Sequence, residues 1–343
     1  MTTPTAVLIS DIHFTVATLD LASKSLSMAR DKAFQLNVPL IICGDTLDSK
    51  AVMRAECVNA LLDILSYKSY NNVDTMILVG NHDLLNEKGT DHSLRFLETH
   101  CAIIDKPTFS KALNLYLFPY MGDKEQLQKA LNSTPKGSTI IMHQGVQSAY
   151  MGHYVQDKTS LPKEAFQGYR VISGHYHKAQ NINCGDSTYT YLGNPYTLSY
   201  GEALDGPKGF NVLNSDGSLT FIPTGLRKHI VLERTQYDLL DPVSNYNPGD
   251  LVQLKVVGSG IELEKLDKNE IGQKLFGHSL FKFDKISYDL PKILNEAIKD
   301  KNLNDSEMLD HIIDTTSESE RIKTHLKSLW RELLNETTNG SGK

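Results

Sequence analysis

The chain has 343 residues, with 35 Lys and Arg against 41 Asp and Glu, and 40% of its residues are hydrophobic. That length allows one large and one small domain of ordinary globular composition, and no apolar run reaches the roughly 20 residues that cross a bilayer. The net charge of −6 argues against a basic surface for free nucleic-acid binding.

The opening MTTPTAVLIS lacks the basic-then-apolar pattern of a secretory signal. Cys43, Cys57, Cys101 and Cys184 are scattered without a CxxC pair and read as reduced thiols. A cytoplasmic protein is expected (host cytoplasm, if viral).

Ala6–Ser10 is an apolar strand ending at Asp11. Asp11 and His13, two apart, share one side of an extended backbone. Leu19, Ala22, Leu26, Ala29, Ala33 and Leu36 recur in steps of three and four, which predicts a helix capped by Thr18 or Asp20. Val38–Cys43 is the next strand, and it stops at Gly44 and Asp45. A carboxylate at the end of a buried strand is costly unless something pairs with it. The strand–helix–strand order builds a sheet with polar clusters at strand C-termini.

Ala51–Leu65 predicts a second helix, with Val52, Ala55, Val58, Leu62 and Leu65 on one side. Thr75–Val79 is a strand ending in GNHD, Asp91–Glu98 a helix, Leu115–Pro119 a strand, and Thr139–Met142 a strand ending at His143. The polar stretch 144–168, with Gly and Pro, predicts a loop over the site. Tyr169–Ser173 is a strand that ends in GHYHK.

From Thr188 the segments YTYLGN, GFNVLN and LTFIPT, with an NSDG turn at 214–217, predict antiparallel sheet. A boundary is placed near Gly225. Beyond it, Ile230–Glu233 and Leu251–Val257 read as strands of a small α+β domain, with helices from about Leu290. The tail from Glu318 to Leu334 puts Ile322, Leu326, Leu329, Trp330 and Leu333 on one face. The organisation expected is a large domain over 1–225, a small one over 226–290 and a helical region over 291–343.

Five polar clusters each follow an apolar strand: Asp11 with His13, Asp45 with Asp48, Asn81 with His82, His143, and His175 with His177. A lone histidine in an apolar context is more often a satisfied core residue than a ligand, so the weight rests on five in this order. Imidazole and carboxylate together suit Mn, Fe or Zn better than Mg or Ca. The clusters point to a divalent metal pair bridged by Asp45 and to phosphodiester hydrolysis. His92, His100, His153, His229, His278, His311 and His325 match no cluster; of these His153, in the 144–168 loop, is the candidate to watch.

DIH, GDTLD, GNHD, MHQG and GHYH together resemble the calcineurin-like metallophosphoesterase superfamily over about residues 7–225. The resemblance implies an α+β fold: a four-layer α/β/β/α sandwich, here with a small α+β capping domain and a C-terminal helical tail. It implies one metal held by Asp11, His13, Asp45 and His177, and a second held by Asp45, Asn81, His143 and His175. His82 is then no ligand but faces the scissile group, oriented by Asp48; the alternative for Asp48 is a cap on the following helix. Two such ions, about 3.5–4 Å apart, clamp a phosphate and acidify a bridging water. His82 then protonates or hydrogen-bonds the leaving oxygen, for which it needs a fixed tautomer. Asn81 ligates through a neutral carbonyl, so the loaded site is net positive, which answers the chain's acidic balance.

Protein phosphatases of the superfamily carry Arg-Gly after the second Asp of GDxxD and Glu after GNH; here Ser49-Lys50 and Asp83 stand there. Small cyclic-nucleotide and lipid-precursor phosphodiesterases share the motifs but usually lack an added domain of this size. MHQGV and YLGNPYTLSYGEALDGPKGF at 191–210 resemble the SbcD-type nuclease branch. That resemblance implies a Mn-dependent 3′-to-5′ exonuclease on duplex ends and endonuclease on hairpins or single strands, acting in double-strand-break processing and recombination. It also implies an SbcC-type coiled-coil ATPase partner and a homodimer. The tail 318–334 is the expected docking element, or packs on its own domain. Helices 51–66 and 91–99 are the expected dimer contact. Lys50, Arg54, Lys178 and Lys208 are candidates for phosphate-directed DNA contacts, or are plain solvated side chains. The alternative activity is a small-molecule phosphodiesterase; a non-catalytic scaffold is disfavoured because every ligand position is filled.

Overall fold

Side chains alternate along a strand, so a strand buried on both faces feeds two cores. In the first strand, β1 (Pro4–Ile9), Ala6 and Leu8 enter one core, and Val7 and Ile9 another. The computed structural model describes residues 2–50, 52–66, 73–86, 91–235, 237–244, 246–258 and 260–287, and the single residues 310, 313, 314, 323, 324, 327, 328 and 331. The order continues α1 (Leu19–Leu36), β2 (Leu40–Ile42), α2 (Ala55–Leu65), β3 (Thr75–Leu78), β4 (Ala102–Ile104), β5 (Thr108–Ser110) and β6 (Leu115–Phe118). Next come α3 (Lys124–Asn132), β7 (Thr139–His143), β8 (Arg170–Gly174), β9 (Gln180–Asn183), β10 (Thr188–Tyr191), β11 (Gly209–Asn214) and β12 (Leu219–Pro223).

These strands form two six-stranded sheets, β12-β11-β1-β2-β3-β4 and β5-β6-β7-β8-β10-β9. Strands β1 to β4 run parallel, as do β6, β7, β8 and β10. The core between the sheets takes Leu8, Ile41, Cys43 and Leu78 from the first and Leu117, Ile141 and Ile172 from the second. The outer face of the first sheet packs on α1 and α2 through Leu26, Ala29, Leu61 and Ile64, and that of the second on α3 through Leu127 and Leu131. This is the expected α+β sandwich of helix, sheet, sheet and helix layers.

Several local expectations are corrected. Thr18 does not cap α1 through its side chain, because its Oγ1 is engaged by Thr15 and the His13 carbonyl; Asp20 lies inside the first turn. The second helix begins at Ala55, since Arg54 is extended and Val52 and Met53 are exposed. The segment 91–98 holds only a 3-10 turn, Ser93–Leu97, because Ser93 is pinned to the Asp83 carbonyl through both its N–H and its Oγ. β10 is not wholly antiparallel: the hairpin with β9 brings it back parallel to β8. α3, with Asp123 capping through Glu125 N and Gln126 N, was not read from the sequence.

The chain divides into two compact units, Met1–His229 and Ile230–Lys343. The second unit holds a three-stranded sheet, β13 (His229–Thr235), β14 (Leu251–Gly258) and β15 (Lys282–Ser287), with α4 (Gly260–Glu264) and α5 (Lys268–Phe276). Val252, Leu254, Val256, Ile271 and Phe281 make its core. The helices expected from Leu290 and the tail 318–334 lie outside the described residues, apart from the single positions named above. No helix among the described residues is long and apolar enough to cross a membrane. All four cysteines are free and buried.

At the C-terminal end of β8 the two sheets leave no room for a side chain. A Cβ on Gly174 would strike Ser10 Oγ, the Cys43 carbonyl and His143 Nδ1. Gly174→Ala should therefore cost about 3 kcal/mol. Gly206→Ala, whose Cβ meets nothing, should stay within about 0.5 kcal/mol. Urea denaturation of both variants checks this.

Candidate metal centre

The candidate residues leave the C-terminal ends of β1, β2, β3, β7 and β8. Beyond β1 the backbone is not extended: Asp11 and His13 have φ of 53° and 50°, and Asp45 beyond β2 has 49°. These left-handed turns are locked by hydrogen bonds from Asp11 N to Gly44 O (3.1 Å) and from His13 N to Asp45 O (3.1 Å). His175 after β8 also has positive φ, 96°. Non-glycine residues seldom adopt this region and persist there only where the surroundings over-determine them. The conformation, not strand alternation, aims these side chains at one point.

Each carboxylate then acts across the joint. Asp11 accepts from Ser10 Oγ (2.5 Å) and from His175 N (3.0 Å), so a residue of the first sheet holds the turn of the second. Asp45 Oδ1 accepts from His82 N (2.8 Å), while its Oδ2 lies 3.3 Å from His143 Nε2 and 3.8 Å from His13 Nε2. Asn81 Oδ1 sits 3.0 Å from His143 Nε2 and 2.8 Å from His175 Nδ1. His13 Nε2 faces His177 Nε2 at 3.1 Å.

Three groups of donors each fall within 4.8 Å: Asp11, His13 and His177; His13, Asp45 and His82; and Asp45, His143 and His175. The structure thus brings together all seven expected ligand residues, with Asp45 between the outer groups. His82 stands in the same cluster.

The hydrogen bonds show whether these residues suit a cation. His143 Nδ1 donates to the Cys43 carbonyl (2.8 Å), which leaves a lone pair on Nε2 when the ring is neutral. That lone pair faces the Asn81 and Asp45 oxygens, both acceptors. Such a group needs either a proton or a metal ion at its centre. Without metal the proton serves: burial disfavours charge on His143, but Asp45 outweighs it and raises the imidazole to about 9. Burial is likewise overcome at Asp45, which His143 holds well below the usual carboxylate range. His13 is raised against its burial by Asp48, Asp45 and Asp11. His175 goes the other way, to about 4, through burial and the His143 charge. The donor set fits a divalent pair.

Asp48 departs from expectation. Its backbone carbonyl, 2.7 Å from His82 Nδ1, takes the position expected of its carboxylate. The carboxylate instead lies 3.3 Å from His13 Nδ1. Nor does its side chain cap α2, whose N-cap residue is Arg54.

Two acidic residues were missed. Asp83, fully buried, accepts from Gly80 N (2.9 Å), Leu47 N (2.9 Å) and Thr46 N (3.3 Å), tying the GDTL turn to GNHD. Burial and the Asp45 charge push it up to about 7. Its position within GNHD was the available signal. Glu202 lies within the 191–210 segment, but nothing there ties it to His177. It lies in a 3-10 turn after Ser199, and its Oε1 accepts from His177 Nδ1 at 2.8 Å. Lys208, expected as a phosphate contact, is instead consumed beside it, bonded to Asp205 (2.6 Å) and the His177 carbonyl (2.9 Å) and 3.4 Å from Glu202. Of the other candidates, Arg54 pairs with Glu56 (3.3 Å) and Lys178 lies 5.5 Å from the Tyr150 ring centre.

The loop 144–168 is stapled at Asp157, which accepts from Thr159 N (2.7 Å), Ser160 N (3.0 Å) and the Tyr176 hydroxyl (2.7 Å). Tyr176 stands between His175 and His177, so the loop is fixed to the turn that carries them. His153, on this loop, lies 3.4 Å from Asp205.

Residues 4–179, just over half of the chain, match the family described as calcineurin-like phosphoesterase. Among solved structures, nuclease MPE of Pseudomonas putida is similar at 14% identity and a TM-score of 0.33, over 63% of this chain and 87% of that one. The phosphopantetheinyl hydrolase PptH of Mycobacterium tuberculosis is similar at 12% identity and a TM-score of 0.35, over 72% and 99%. No curated protein sequence matches.

Burial opposes the charge on Asp157, yet its hydrogen bonds hold the carboxyl at about 2, below the ordinary 3.8. A depressed carboxyl stabilises the fold above its unfolded value and loses that contribution as pH falls through its folded value. Asp157→Ala should cost about 2 kcal/mol at pH 7, and the gap to wild type should close between pH 4 and pH 2. Denaturation midpoints across that range measure it.

Proposed function

The chain belongs to the calcineurin-like phosphoesterase family, and from that premise we propose that it is a metal-dependent DNA phosphodiesterase, the nuclease subunit of an SbcD-type pair. The observation that carries the reading is the convergence of Asp11, His13, Asp45, Asn81, His143, His175 and His177 at the joined ends of two sheets, with His82 beside them. In this reading the two residue sets that share Asp45 would hold two divalent ions, manganese by preference, which when bound would supply Lewis-acid charge and acidify a water.

The chain's own residues do the rest. His82 Nδ1 donates to the Asp48 carbonyl, which fixes the ring and presents Nε2. Protonated there, it hands its proton to the leaving oxygen. His82 N also donates to Asp45 Oδ1, which ties the backbone of the acid to the carboxylate that the two ligand sets share. Asp48 orients His82 through main chain, and its carboxylate serves His13.

Nuclease over small-molecule chemistry is favoured by MHQGV and by the 191–210 segment, whose Glu202 and Lys208 brace His177. The same reading takes exonuclease action on duplex ends and endonuclease action on hairpins and single strands, an SbcC-type ATPase bound through the C-terminal helices, and a homodimer. Lys50, Arg54 and Lys178 remain the candidates for phosphate contact.

End-labelled hairpin DNA with Mn is the test. Wild type should cleave it. His82→Ala should lose about 10²–10³ in kcat while still binding Mn. Asp45→Ala should lose both, and Asp48→Ala should lose much less than His82→Ala. Turnover of bis-p-nitrophenyl phosphate with DNA left intact, even beside the ATPase, would overturn the nuclease reading for a small-molecule phosphodiesterase.

Metal and proton compete for His143 Nε2. At pH 7.5, Mn binding should release about one proton from this residue, and affinity should fall as pH drops. Calorimetry in buffers of different ionisation enthalpy reads both.

A further inference from the structure

Glu202 lies outside every metal-ligand cluster, yet it is the residue on which His177 rests. Its two oxygens divide their work. Oε1 faces His177 Nδ1 at 2.8 Å. Oε2 faces three donors: Asn194 Nδ2 at 2.9 Å, Leu198 N at 3.0 Å and Lys208 Nζ at 3.4 Å. Lys208 is held in turn by Asp205 and by the carbonyl of His177 itself. Both Glu202 and Lys208 are largely withdrawn from solvent, with side chains 12% and 10% exposed.

A carboxylate has no proton to give, so His177 Nδ1 must be the donor. The imidazole then carries its lone pair on Nε2, the atom that faces His13 Nε2 at 3.1 Å. A carboxylate behind a metal-binding histidine fixes both its tautomer and its ring direction.

We propose that Glu202 is a positioning residue that sets the tautomer of His177, and that its negative charge, rather than its shape, does so. The proposal rests on the metal-centre reading given above for what the freed Nε2 is used for. It makes an unusual demand of the isosteric amide. In Glu202→Gln the side-chain oxygen is claimed by the three donors around Oε2. The amide NH2 is then left facing His177 Nδ1, which must accept. The histidine proton moves to Nε2, and the lone pair that pointed into the site is gone. A change of one atom at Glu202 thus reverses a histidine that the substitution leaves in place.

The measurement is 15N NMR of ring-labelled histidines in the metal-free full-length chain, with His177 assigned by its loss in His177→Gln, followed by Mn titration. Wild type should show His177 protonated at Nδ1, and Glu202→Gln should show it protonated at Nε2. The variant should weaken one of two Mn sites about 10–100-fold and leave the other. A wild-type His177 protonated at Nε2 overturns the proposal, and so does a Glu202→Gln protein that keeps both the wild-type tautomer and affinity. Should Glu202→Gln not fold, the wild-type spectrum decides alone. A wild-type protein that binds no Mn overturns the metal reading instead, and the tautomer assignment then stands or falls on the spectra.

Discussion

One backbone carbonyl, that of Cys43, holds the two sheets in register at the site. It accepts from His143 Nδ1 in one sheet and from Ser10 Oγ in the other, with Gly174 leaving the space for that approach. Asp11 repeats the device by accepting from His175 N across the same joint. Unpaired polar groups at buried strand ends would be costly, and here each sheet satisfies the other's. The apolar layer between the sheets brings them together without choosing a register. The polar contacts at its end select one, and that choice places every candidate ligand.

The site that results is overfull of acceptors. Asp45, Asn81 and the imidazole lone pairs face inward, and the residues outside them supply donors: main-chain N–H of His82 and His175, Lys208, and the loop N–H groups around Asp83. This division suits a centre whose charge is positive when loaded.

Much of this was legible because strand ends are legible. An apolar run that stops at Asp, Asn-His or His, three times of five after a Gly, announces a polar cluster at a strand's C-terminal end, and five such clusters bound the site. What stayed hidden depends on the backbone or on distance along the chain. Asp11 and His13 read as neighbours on extended chain, yet left-handed φ values aim them. The sequence points to the Asp48 side chain, yet its backbone carbonyl holds the place on His82. Glu202 lies 25 residues from His177, and no spacing rule connects them. Lys208 carried a charge that invited a surface reading, but the acids around it are visible only in three dimensions. The short turn at 93–97 failed as a helix because a tertiary anchor on Asp83 overrode local periodicity.

The position of β1 has a consequence for how the chain acquires its shape. β1 pairs on one side with β2 and on the other with β11, and Pro4 lies opposite Asn214. Such pairings across most of a domain raise contact order and slow folding. On the ribosome, Asp11 and His13 emerge long before His177 and Glu202, so the first half of the site waits, incomplete, for the second. The nascent chain therefore cannot assemble the candidate metal centre until β8 and the turn that carries His175 and His177 have emerged.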